Sequence, residues 1–290
     1  MENYQNHPLY QPMDFEALFT QTFKIYKKHF GWLFLYSFLG ILLMSMMVFA
    51  TNLKDIFTYD FIYNPEEIGG FLGKLFLILL VMFVGYAILY LFIHYFIIHK
   101  YADPEKSHLS MFGDAVSKFA LPYLLILIIV ILILTVSMTV GIFLLIIGMF
   151  VALCYFGTIF LPVTPILIVE KTDPISTISR SFTLGHLDFW PTLGALIVMY
   201  IVLMVASMIL GAITMAPFAV DFLKLMNPNT VMDMLESGES LFSFMTPGFI
   251  LVSSITNAIT FPIIPIFAVL VYFKLKYRED QEDKLQEISG

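Results

Sequence analysis

Six long runs of apolar residues, almost free of charge, decide what this 290-residue chain can fold into. A helix needs roughly 20 apolar residues to cross the hydrocarbon core of a bilayer. Because lipid offers no partner to a free backbone N–H or C=O, each run must be helical. The runs are Gly31 to Ala50, Phe71 to Ile98, Ala120 to Val140, Gly141 to Val169, Pro191 to Met215 and Pro247 to Phe273. The sequence therefore predicts an all-α integral membrane protein with six transmembrane helices.

The overall composition agrees with a bilayer as the solvent of this chain. Hydrophobic residues make up 59% of it and charged residues 13%, whereas soluble domains are about one quarter charged. The formal net charge of -7 argues against a nucleic-acid partner, which needs a basic surface. We therefore expect the lipid bilayer itself to be the main partner.

The distribution of Lys and Arg predicts the orientation of the helices. Twelve of the 15 basic residues flank the same ends of the runs, and the other three are Lys54, Lys74 and Lys224. Since cytoplasmic loops are enriched in Lys and Arg, both termini are predicted to be cytoplasmic. We divide the chain into a cytoplasmic tail with an interfacial helix (1–30), a six-span membrane domain (31–273) and a charged cytoplasmic tail (274–290). That last tail is expected to be a short solvated helix or a frayed end.

Three similar stretches follow the second, fourth and sixth runs: IIHKYADP (97–104), LIVEKTDP (167–174) and FKLKYRED (273–280). Each carries a lysine in its middle, and the first two continue with Asp-Pro. Asp caps helix N-termini and Pro suits the first helical position. The pattern predicts a turn followed by a new short helix. The residues concerned are Lys100, Asp103, Lys171, Asp173 and Lys276.

The segments that lead into the first, third and fifth runs are also similar to one another. The stretches FTQTFKIYKKHF, FGDAVSKFALPY and ISRSFTLGHLDF align Phe19 with Phe112 and Ile178. Each has apolar residues on one helical face and polar residues on the other, which is typical of helices lying at a membrane surface. We interpret the chain as three parallel repeats of an amphipathic helix and a helix hairpin. The alternative is that any helix entering from the cytoplasm has this pattern.

The charged stretch between the fourth and fifth runs, EKTDPISTISRSF (170–182), is then a structural feature. Glu170, Lys171, Asp173 and Arg180 are expected at the level of the inner headgroups, where they turn and cap the chain. A catalytic role for them is the less favoured interpretation.

Few residues within the runs could carry chemistry. Near the middle of the runs there is no Asp, Glu, Lys or Arg, although such groups mark most intramembrane sites. His94 is the one titratable exception, and a packing or interfacial histidine is the simpler interpretation than a ligand or proton carrier. The six histidines lack the spacing of a metal site. We predict no catalytic residue, no cofactor and no metal.

Prolines recur with the same spacing in the fourth and sixth runs. LPVTP contains Pro162 and Pro165, and FPIIP contains Pro262 and Pro265. Each proline removes a backbone hydrogen bond and kinks its helix. The freed carbonyls must face protein or water, and Thr164 could satisfy some of them. These kinks are either a packing feature or the lining of a cavity or hinge. Close helix contacts are expected at glycines, namely Gly85, Gly141, Gly148, Gly157, Gly194 and Gly211.

The later half of the chain resembles a known group. VEKTDPISTISRSFTLGHLDFWPTLG and FPIIPIFAVLVYFKLKYRED are similar to a bacterial six-helix family: the membrane domain fused to some glycerophosphodiester phosphodiesterases, and its uncharacterised stand-alone relatives. Residues that carry the likeness include Ser181, Phe182, Trp190, Tyr272 and Arg278. Lys274 stands where that group often has an acid, and the phosphodiesterase barrel is absent from this sequence. The resemblance implies architecture and a bacterial cytoplasmic membrane, and no hydrolase activity.

Three functions remain open at this point. The favoured one is a non-enzymatic membrane protein that holds lipid or an apolar small molecule, or acts as a scaffold. The second is a transporter of an uncharged or apolar solute that uses the proline-broken helices as gates. The least favoured is a membrane oxygenase or hydrolase, because such an enzyme needs a cluster of polar residues within the runs.

Overall fold

A computed structural model describes residues 4–51, 65–143, 145–220, 223, 226–236 and 246–289. All regular structure in these ranges is helical. After a short 3-10 turn at Tyr4–Asn6 the α-helices are α1 Phe15–Ala50, α2 Pro65–Ala102, α3 His108–Phe143, α4 Leu145–Ile159, α5 Val163–Glu170, α6 Pro174–Leu187, α7 Phe189–Met215, α8 Pro228–Glu236, α9 Pro247–Thr260 and α10 Ile263–Ser289. Lys54 and Lys224, which contribute to the predicted orientation, lie outside the described residues.

The prediction of six membrane-spanning segments is confirmed. Helices α1, α2, α3 and α7 each supply one segment, α4 and α5 together supply the fourth, and α9 and α10 the sixth. The predicted boundary between the third and fourth runs, at Val140 and Gly141, is displaced, because α3 continues to Phe143 and α4 begins at Leu145. No Gly-Pro or Asn-Pro signal stands at Thr139, so nothing in the chain ends α3 there.

In the first two repeats the predicted amphipathic segment and the span that follows it form one continuous helix. Helix α1 runs from Phe15 through its apolar segment without a break, and α3 does the same from His108 with Pro122 inside it. In the third repeat, by contrast, a short helix, α6, ends before the span begins. Asp188 leaves helical geometry there, and Pro191 follows in the first turn of α7. A proline at that position would clash with the carbonyl of residue 187 in a continuous helix, so the chain must break.

The chain divides into two compact units, the first of which comprises residues 1–30, 87–202 and 262–290. All twelve basic residues on the predicted cytoplasmic side belong to it. Its centre is α10, where every residue from Ile266 to Phe273 has no exposed surface. The predicted solvated tail is solvated only in part: Leu275, Lys276 and Asp280 are buried, whereas Asp283 to Glu287 are exposed.

The second unit comprises residues 31–86 and 203–261. Here α1 and α2 approach closely at Gly85, where an added Cβ would meet the side chain of Met44 at 2.5 Å. Helices α7 and α9 are joined by a hydrogen bond between the hydroxyls of Thr214 and Thr256. Of the described residues in α8, Met234 is buried.

The starts of three helices share one register. Asp14, Ser107 and Asp173 precede α1, α3 and α6, and each accepts a hydrogen bond on its side chain from a backbone N–H in the first turn. Each also lies five residues before one of the aligned Phe19, Phe112 and Ile178. Three residues after these, at Thr22, Ala115 and Ser181, the side chains are small and have no exposed surface. This agreement supports the threefold repeat, which stays a prediction.

Candidate functional site

Both predicted proline motifs lie where a helix is interrupted. Helix α4 ends at Ile159 and α5 begins at Val163; α9 ends at Thr260 and α10 begins at Ile263. Pro162 and Pro262 stand before the new helices, and their carbonyls accept the N–H groups of Ile166 and Ile266. Pro165 and Pro265 occupy the first turns, where an N–H has no intrahelical partner anyway. One proline of each pair therefore marks the break, and the other is accommodated by the helix after it.

The carbonyl freed by the first break is satisfied by a serine from another helix. The N–H of Val163 bonds Phe160 at 3.2 Å rather than Ile159. The hydroxyl of Ser181 on α6 donates to the Ile159 carbonyl instead. One turn further along α6, Gly185 lies so close that an added Cβ would meet the Ile159 Cα at 3.2 Å. The sequence suggested Thr164 for this role, and the small residues of α6 were missed.

Arg180 is the centre of an ion-pair network that joins α5, α6 and α10. Its Nε donates to Glu170 at 3.0 Å, and its two terminal nitrogens donate to Glu279 at 2.6 and 2.5 Å. The buried Tyr272 hydroxyl donates to the other oxygen of Glu170 at 3.2 Å. Burial disfavours the charged guanidinium, but the hydrogen bonds and charges of Glu279 and Glu170 outweigh it and raise the pKa of Arg180 above its ordinary value. The network thus joins Glu170, at the end of the fourth span, to Tyr272 and Glu279 of α10 in the sixth span.

The network continues through Lys276 to the N-terminal segment. Lys276 donates to Glu279 at 2.6 Å and lies 3.6 Å from Asp280. Asp280 in turn accepts hydrogen bonds from Tyr10 at 2.7 Å and from the side chains of Gln5 and Tyr4. Residues 4–13, called the strap below, are thus held against α10. Leu9 and Met13 of the strap are buried. This part of the predicted N-terminal tail is therefore packed against the helices.

His7 fastens the middle of the strap. Its Nε2 lies 2.9 Å from the Ile98 carbonyl, and its Nδ1 accepts the N–H of Leu9 at 3.2 Å. A carbonyl can only accept, so Nε2 carries the proton and the ring is neutral. The ring stacks on Phe273 with centroids 4.4 Å apart. Burial lowers the pKa of His7, although the hydrogen bond to Ile98 partly opposes this.

A second ion-pair group surrounds Asp188, at the break between α6 and α7. Lys274 contacts it at 2.6 Å and Arg278 donates to its other oxygen. Arg278 also reaches Glu282 at 3.1 Å, one turn along α10. Sequence reasoning named Arg278 but not Asp188, because nothing in the sequence marks which acid faces α10.

The two Asp-Pro turns differ in the structure. Asp173 caps α6 as predicted, and hydrogen bonds from Ser176 lower its pKa. Asp103 does not cap α3; its side chain accepts the N–H of Glu105 at 3.3 Å within a turn, and Ser107 is the cap. The local turn at Asp103–Pro104 replaces capping because the helix begins four residues later.

The two lysines at these turns have different roles. Lys100 donates to the carbonyl of Pro104 and closes the turn after α2. Lys171 follows α5 with φ of 54°, the one positive value at a non-glycine among the described residues. In the second repeat, Lys106 forms an ion pair with Asp114 at 2.5 Å. The hydrogen bond to Asp114 raises the pKa of Lys106.

His94 and Thr164 are both buried. The Nδ1 of His94 lies 2.8 Å from the Tyr90 carbonyl in its own preceding turn, and its ring lies against Tyr90. Its Nε2 has no hydrogen-bond partner among the described residues. No group of three or more His, Cys, Asp and Glu in the described ranges is placed to hold a metal ion.

An apolar cleft of about 330 Å³ lies between α3, α4 and α7 in the first unit. Its walls are almost wholly apolar, and four of its wall residues are exposed: Gly157, Leu153 at 38%, Ile197 at 43% and Tyr200 at 56%. The cleft is therefore open on one side. It is lined by Leu134, Leu153, Cys154, Gly157, Leu193, Leu196, Ile197 and Tyr200. Gly157 is one of the glycines at which the sequence predicted a close helix contact.

The expected glycine contacts are of three kinds. An added Cβ at Gly141 would lie 2.7 Å from the backbone of Gly148, so α3 and α4 touch there. At Gly157 the nearest atom would be 4.0 Å away, on Leu196 across the cleft. At Gly194 and Gly211 there is nothing within 4 Å.

Comparisons with known proteins identify no relative. No family model matches the chain, and neither a curated protein nor a solved structure matches it.

Proposed function

We propose that this chain is a non-enzymatic protein of a bacterial cytoplasmic membrane that holds a lipid acyl chain in the cleft between α3, α4 and α7. The observation that carries the proposal is the cleft itself. Its volume of about 330 Å³ lies at the small end of the range of roughly 300–1,000 Å³ found for ligand sites.

The position of the cleft selects an apolar occupant. Its walls belong to three segments long and apolar enough to span a membrane. Its open side therefore faces hydrocarbon if those segments lie in a bilayer, and the molecule at hand there is an acyl chain. Gly157 of α4 lies opposite Leu196 of α7, and because Gly157 has no side chain, space for a ligand remains between the two helices.

The proposed orientation places both termini in the cytoplasm. The positive-inside tendency supports it, with twelve of 15 basic residues at one set of helix ends. The hydrogen bond that Tyr10 donates to Asp280 joins the N-terminal and C-terminal segments, which supports a location on the same side for both. The resemblance to the membrane domain of glycerophosphodiester phosphodiesterases agrees with this arrangement. We include membership of that family in the proposal.

Photolabelling tests the proposal directly. The purified protein is placed in nanodiscs containing phosphatidylcholine with a diazirine on one acyl chain, and labelled peptides are mapped by mass spectrometry. We expect labelling concentrated on α4 at 153–157 and on α7 at 193–200. Gly157→Leu fills the cleft and should reduce labelling there, while Gly157→Ala should be tolerated.

Gly194→Leu is the matched control. Gly194, like Gly157, is a glycine inside a helix, but it belongs to α7, has open space around it and does not line the cleft. It should leave the labelling unchanged. Uniform labelling along every exposed apolar face, insensitive to Gly157→Leu, would refute the proposal.

A transporter of an apolar or uncharged solute is the second candidate. What favours it is the identical construction of the breaks before α5 and α10, each a proline cap followed by a proline in the first turn. A Pro162→Ala, Pro262→Ala double variant would then change solute flux in proteoliposomes. Unchanged flux would remove this candidate, and so would the absence of flux in the unsubstituted protein.

A further inference from the structure

We propose that Lys28 and Lys100, with His29 and His108 beside them, bind the phosphate of an anionic phospholipid where α1 passes the end of α2 and the start of α3. These four residues, called the cationic cluster below, belong to the first compact unit and do not line the cleft. The inference goes beyond the proposed function, because it assigns a second site with a different ligand chemistry.

Aromatic contacts bring the three helices together at this place. The Phe96 ring of α2 lies 6.0 Å from the His29 ring of α1, measured between ring centroids. The same Phe96 ring lies 5.5 Å from the His108 ring at the start of α3. Helices α1 and α3 therefore meet the same end of α2, and each brings a basic residue to it.

Tyr101 places the two lysines of the cluster beside each other. Its ring lies 5.5 Å from the His29 ring, and the Nζ of Lys28 lies 5.0 Å from the centre of the Tyr101 ring, within cation–π range. Lys100 precedes Tyr101 in the chain and donates one hydrogen bond to the Pro104 carbonyl. A lysine ammonium has three N–H donors, so Lys100 keeps donors for a ligand.

Basic groups repel one another in this cluster. Lys28, Lys100 and His108 all lie near enough to His29 for their charges to act on it, and the charges that act on His29 are all those of basic groups. Lys100 acts on His108 in the same way. An anion bound among these side chains would relieve this repulsion.

The turn after α2 contains two acids, but they do not neutralise the lysines. Asp103 accepts the backbone N–H of Glu105 within the turn. Among the described residues, neither acid forms an ion pair with Lys28 or with Lys100. Lys28 is exposed and Lys100 is half-buried, so both ammonium groups are within reach of a ligand.

Other basic residues of the first unit already have acidic partners. Asp114, Glu279 and Asp188 each bind two of them. The paired residues are Lys106, Lys118, Arg180, Lys276, Lys274 and Arg278. The cationic cluster thus differs from the rest of this side of the protein in offering uncompensated charge.

The position of the cluster along the chain suits a lipid headgroup. Lys28 and His29 come just before the first apolar run, which begins at Gly31, and Lys100 comes just after the second, which ends at Ile98. Basic pockets between membrane helices at this depth bind anionic headgroups, and lysine binds phosphate as a point charge. A zwitterionic headgroup brings its own cation, which the two lysines repel, so a lipid of net negative charge is selected.

Tryptophan quenching by brominated lipid tests this inference. The chain has two tryptophans, and Trp32 lies one helical turn after Lys28 on α1. Trp190→Phe leaves Trp32 as the reporter. The protein is placed in bilayers of phosphatidylcholine with dibrominated acyl chains, which quench its fluorescence. Unbrominated phosphatidylglycerol is then added, or unbrominated phosphatidylcholine for comparison. We expect phosphatidylglycerol to relieve the quenching of Trp32 more strongly, because it replaces phosphatidylcholine at the cluster.

Lysine variants assign the preference to the cluster. Lys28→Gln and Lys100→Gln should each lower the preference for phosphatidylglycerol by about fivefold, the effect of one lysine near an anionic headgroup. Lys100→Arg keeps the charge and should keep the preference, which separates the charge from the hydrogen bond that closes the turn. Lys27→Gln is the matched control: Lys27 is also exposed, but it lies on the opposite side of α1 from His29. It should leave the preference unchanged.

A second reporter compares the cluster with paired cations. Trp32→Phe leaves Trp190, which follows the Asp188 ion-pair group by two residues. Because Lys274 and Arg278 are held there by Asp188, Trp190 should report a weaker preference for phosphatidylglycerol than Trp32 does. Equal preferences at the two reporters would overturn the assignment to this cluster.

Three further results would also overturn the inference. The first is equal relief of Trp32 quenching by phosphatidylglycerol and phosphatidylcholine. The second is an equal loss of preference in Lys27→Gln and Lys28→Gln, which would show that general positive charge suffices. The third is a preference that inorganic phosphate in the buffer abolishes, since the site would then take a soluble anion. Gly157→Leu fills the cleft and should not change the headgroup preference, so the two sites are tested separately.

Discussion

Arg180 and Glu279 form a bidentate ion pair, with nitrogen–oxygen distances of 2.6 and 2.5 Å, although 99 residues separate them in the chain. Both side chains are largely buried, at 23% and 14% exposed. Arg180 also binds Glu170 at the end of α5. Arg180 therefore joins α5, the helix after the first proline break, to α10, the helix after the second.

Breaking this pair from one side should be costly. Arg180→Met leaves the poorly solvated Glu170 without its cation and leaves Glu279 with Lys276 alone, and we expect a loss of about 3 kcal/mol in unfolding free energy. Glu279→Leu alone should also destabilise, while the double variant should lose less than the sum of the two. Thermal unfolding in detergent measures all three. Additive effects of the two substitutions would contradict the coupling.

Arg278→Met is the control for that series. Arg278 is 47% exposed and its partner Asp188 keeps Lys274. Exposed ion pairs contribute about 0–1 kcal/mol, so we expect a much smaller loss than at Arg180.

Ser181 should be needed for the first proline break. Ser181→Ala leaves the Ile159 carbonyl buried without its donor, which costs about 1–3 kcal/mol. Ser179→Ala, two residues earlier on α6, should change stability little because Ser179 belongs to a different face of the helix. The comparison is made by urea or thermal unfolding in the same detergent, and equal losses in the two variants would argue against the hydrogen bond.

Gly141 should tolerate no side chain. Gly141→Ala places a Cβ 2.7 Å from the backbone of Gly148 and 2.8 Å from that of Met149, so α3 and α4 must separate. Gly113→Ala in α3 meets nothing within 4 Å and should stabilise by up to about 1 kcal/mol through helix propensity. A lower melting temperature for the first variant and an equal or higher one for the second are expected. Equal melting temperatures would contradict the close contact.

Lys171→Gly should stabilise the protein. Lys171 has φ of 54° after α5, and a left-handed residue with a side chain costs roughly 1–2 kcal/mol that glycine avoids. The greater freedom of glycine in the unfolded chain offsets part of this, so a net gain of up to about 1 kcal/mol is expected. Lys171→Ala keeps a Cβ and separates the conformational effect from the loss of charge. A gain in melting temperature with Ala equal to that with Gly would show that charge is the cause.

The strap should loosen in acid. Burial lowers the pKa of His7 in the folded protein, so the unfolded or released strap binds the proton more readily. The stability that neutral His7 contributes is complete above the unfolded pKa of about 6.5 and is lost as the pH falls below it. Protonation also puts a hydrogen on Nδ1, which then cannot accept from Leu9.

Hydrogen exchange measures this change. After correction for the intrinsic rate, amides of residues 4–13 should be less protected at a pH of about 5.5 than at a pH of about 7.5, on either side of the ordinary histidine pKa. Carboxylates with ordinary pKa values near 4 stay ionised over that range. His7→Asn should remove the pH dependence, and peptides from α10 at 264–273 should show none. Protection of the strap that is independent of pH in the unsubstituted protein would contradict the role of His7.

The parts of this fold that could be predicted are those set by local chemistry. Apolar runs of sufficient length must be helical in lipid, so all six spans were predicted from the sequence. Pro162 and Pro262 interrupt helices because a proline ring and its missing N–H act on the preceding turn wherever it occurs. The cap at Asp173 was predicted on the same basis. At Asp103 the prediction was wrong, because Ser107 could cap equally well and lies closer to the amphipathic run.

By itself, the sequence determined the helical content, the number of spans and the two proline breaks, since each follows from a residue and its near neighbours. Only the tertiary structure decided that Arg180 pairs with Glu279, that Ser181 satisfies Ile159, and that Gly157 and Tyr200 border one cleft. These relationships join residues far apart in the chain, and no local pattern states which helix faces will meet. Charged and small residues at helix ends look alike in a sequence, and packing alone assigns them their partners.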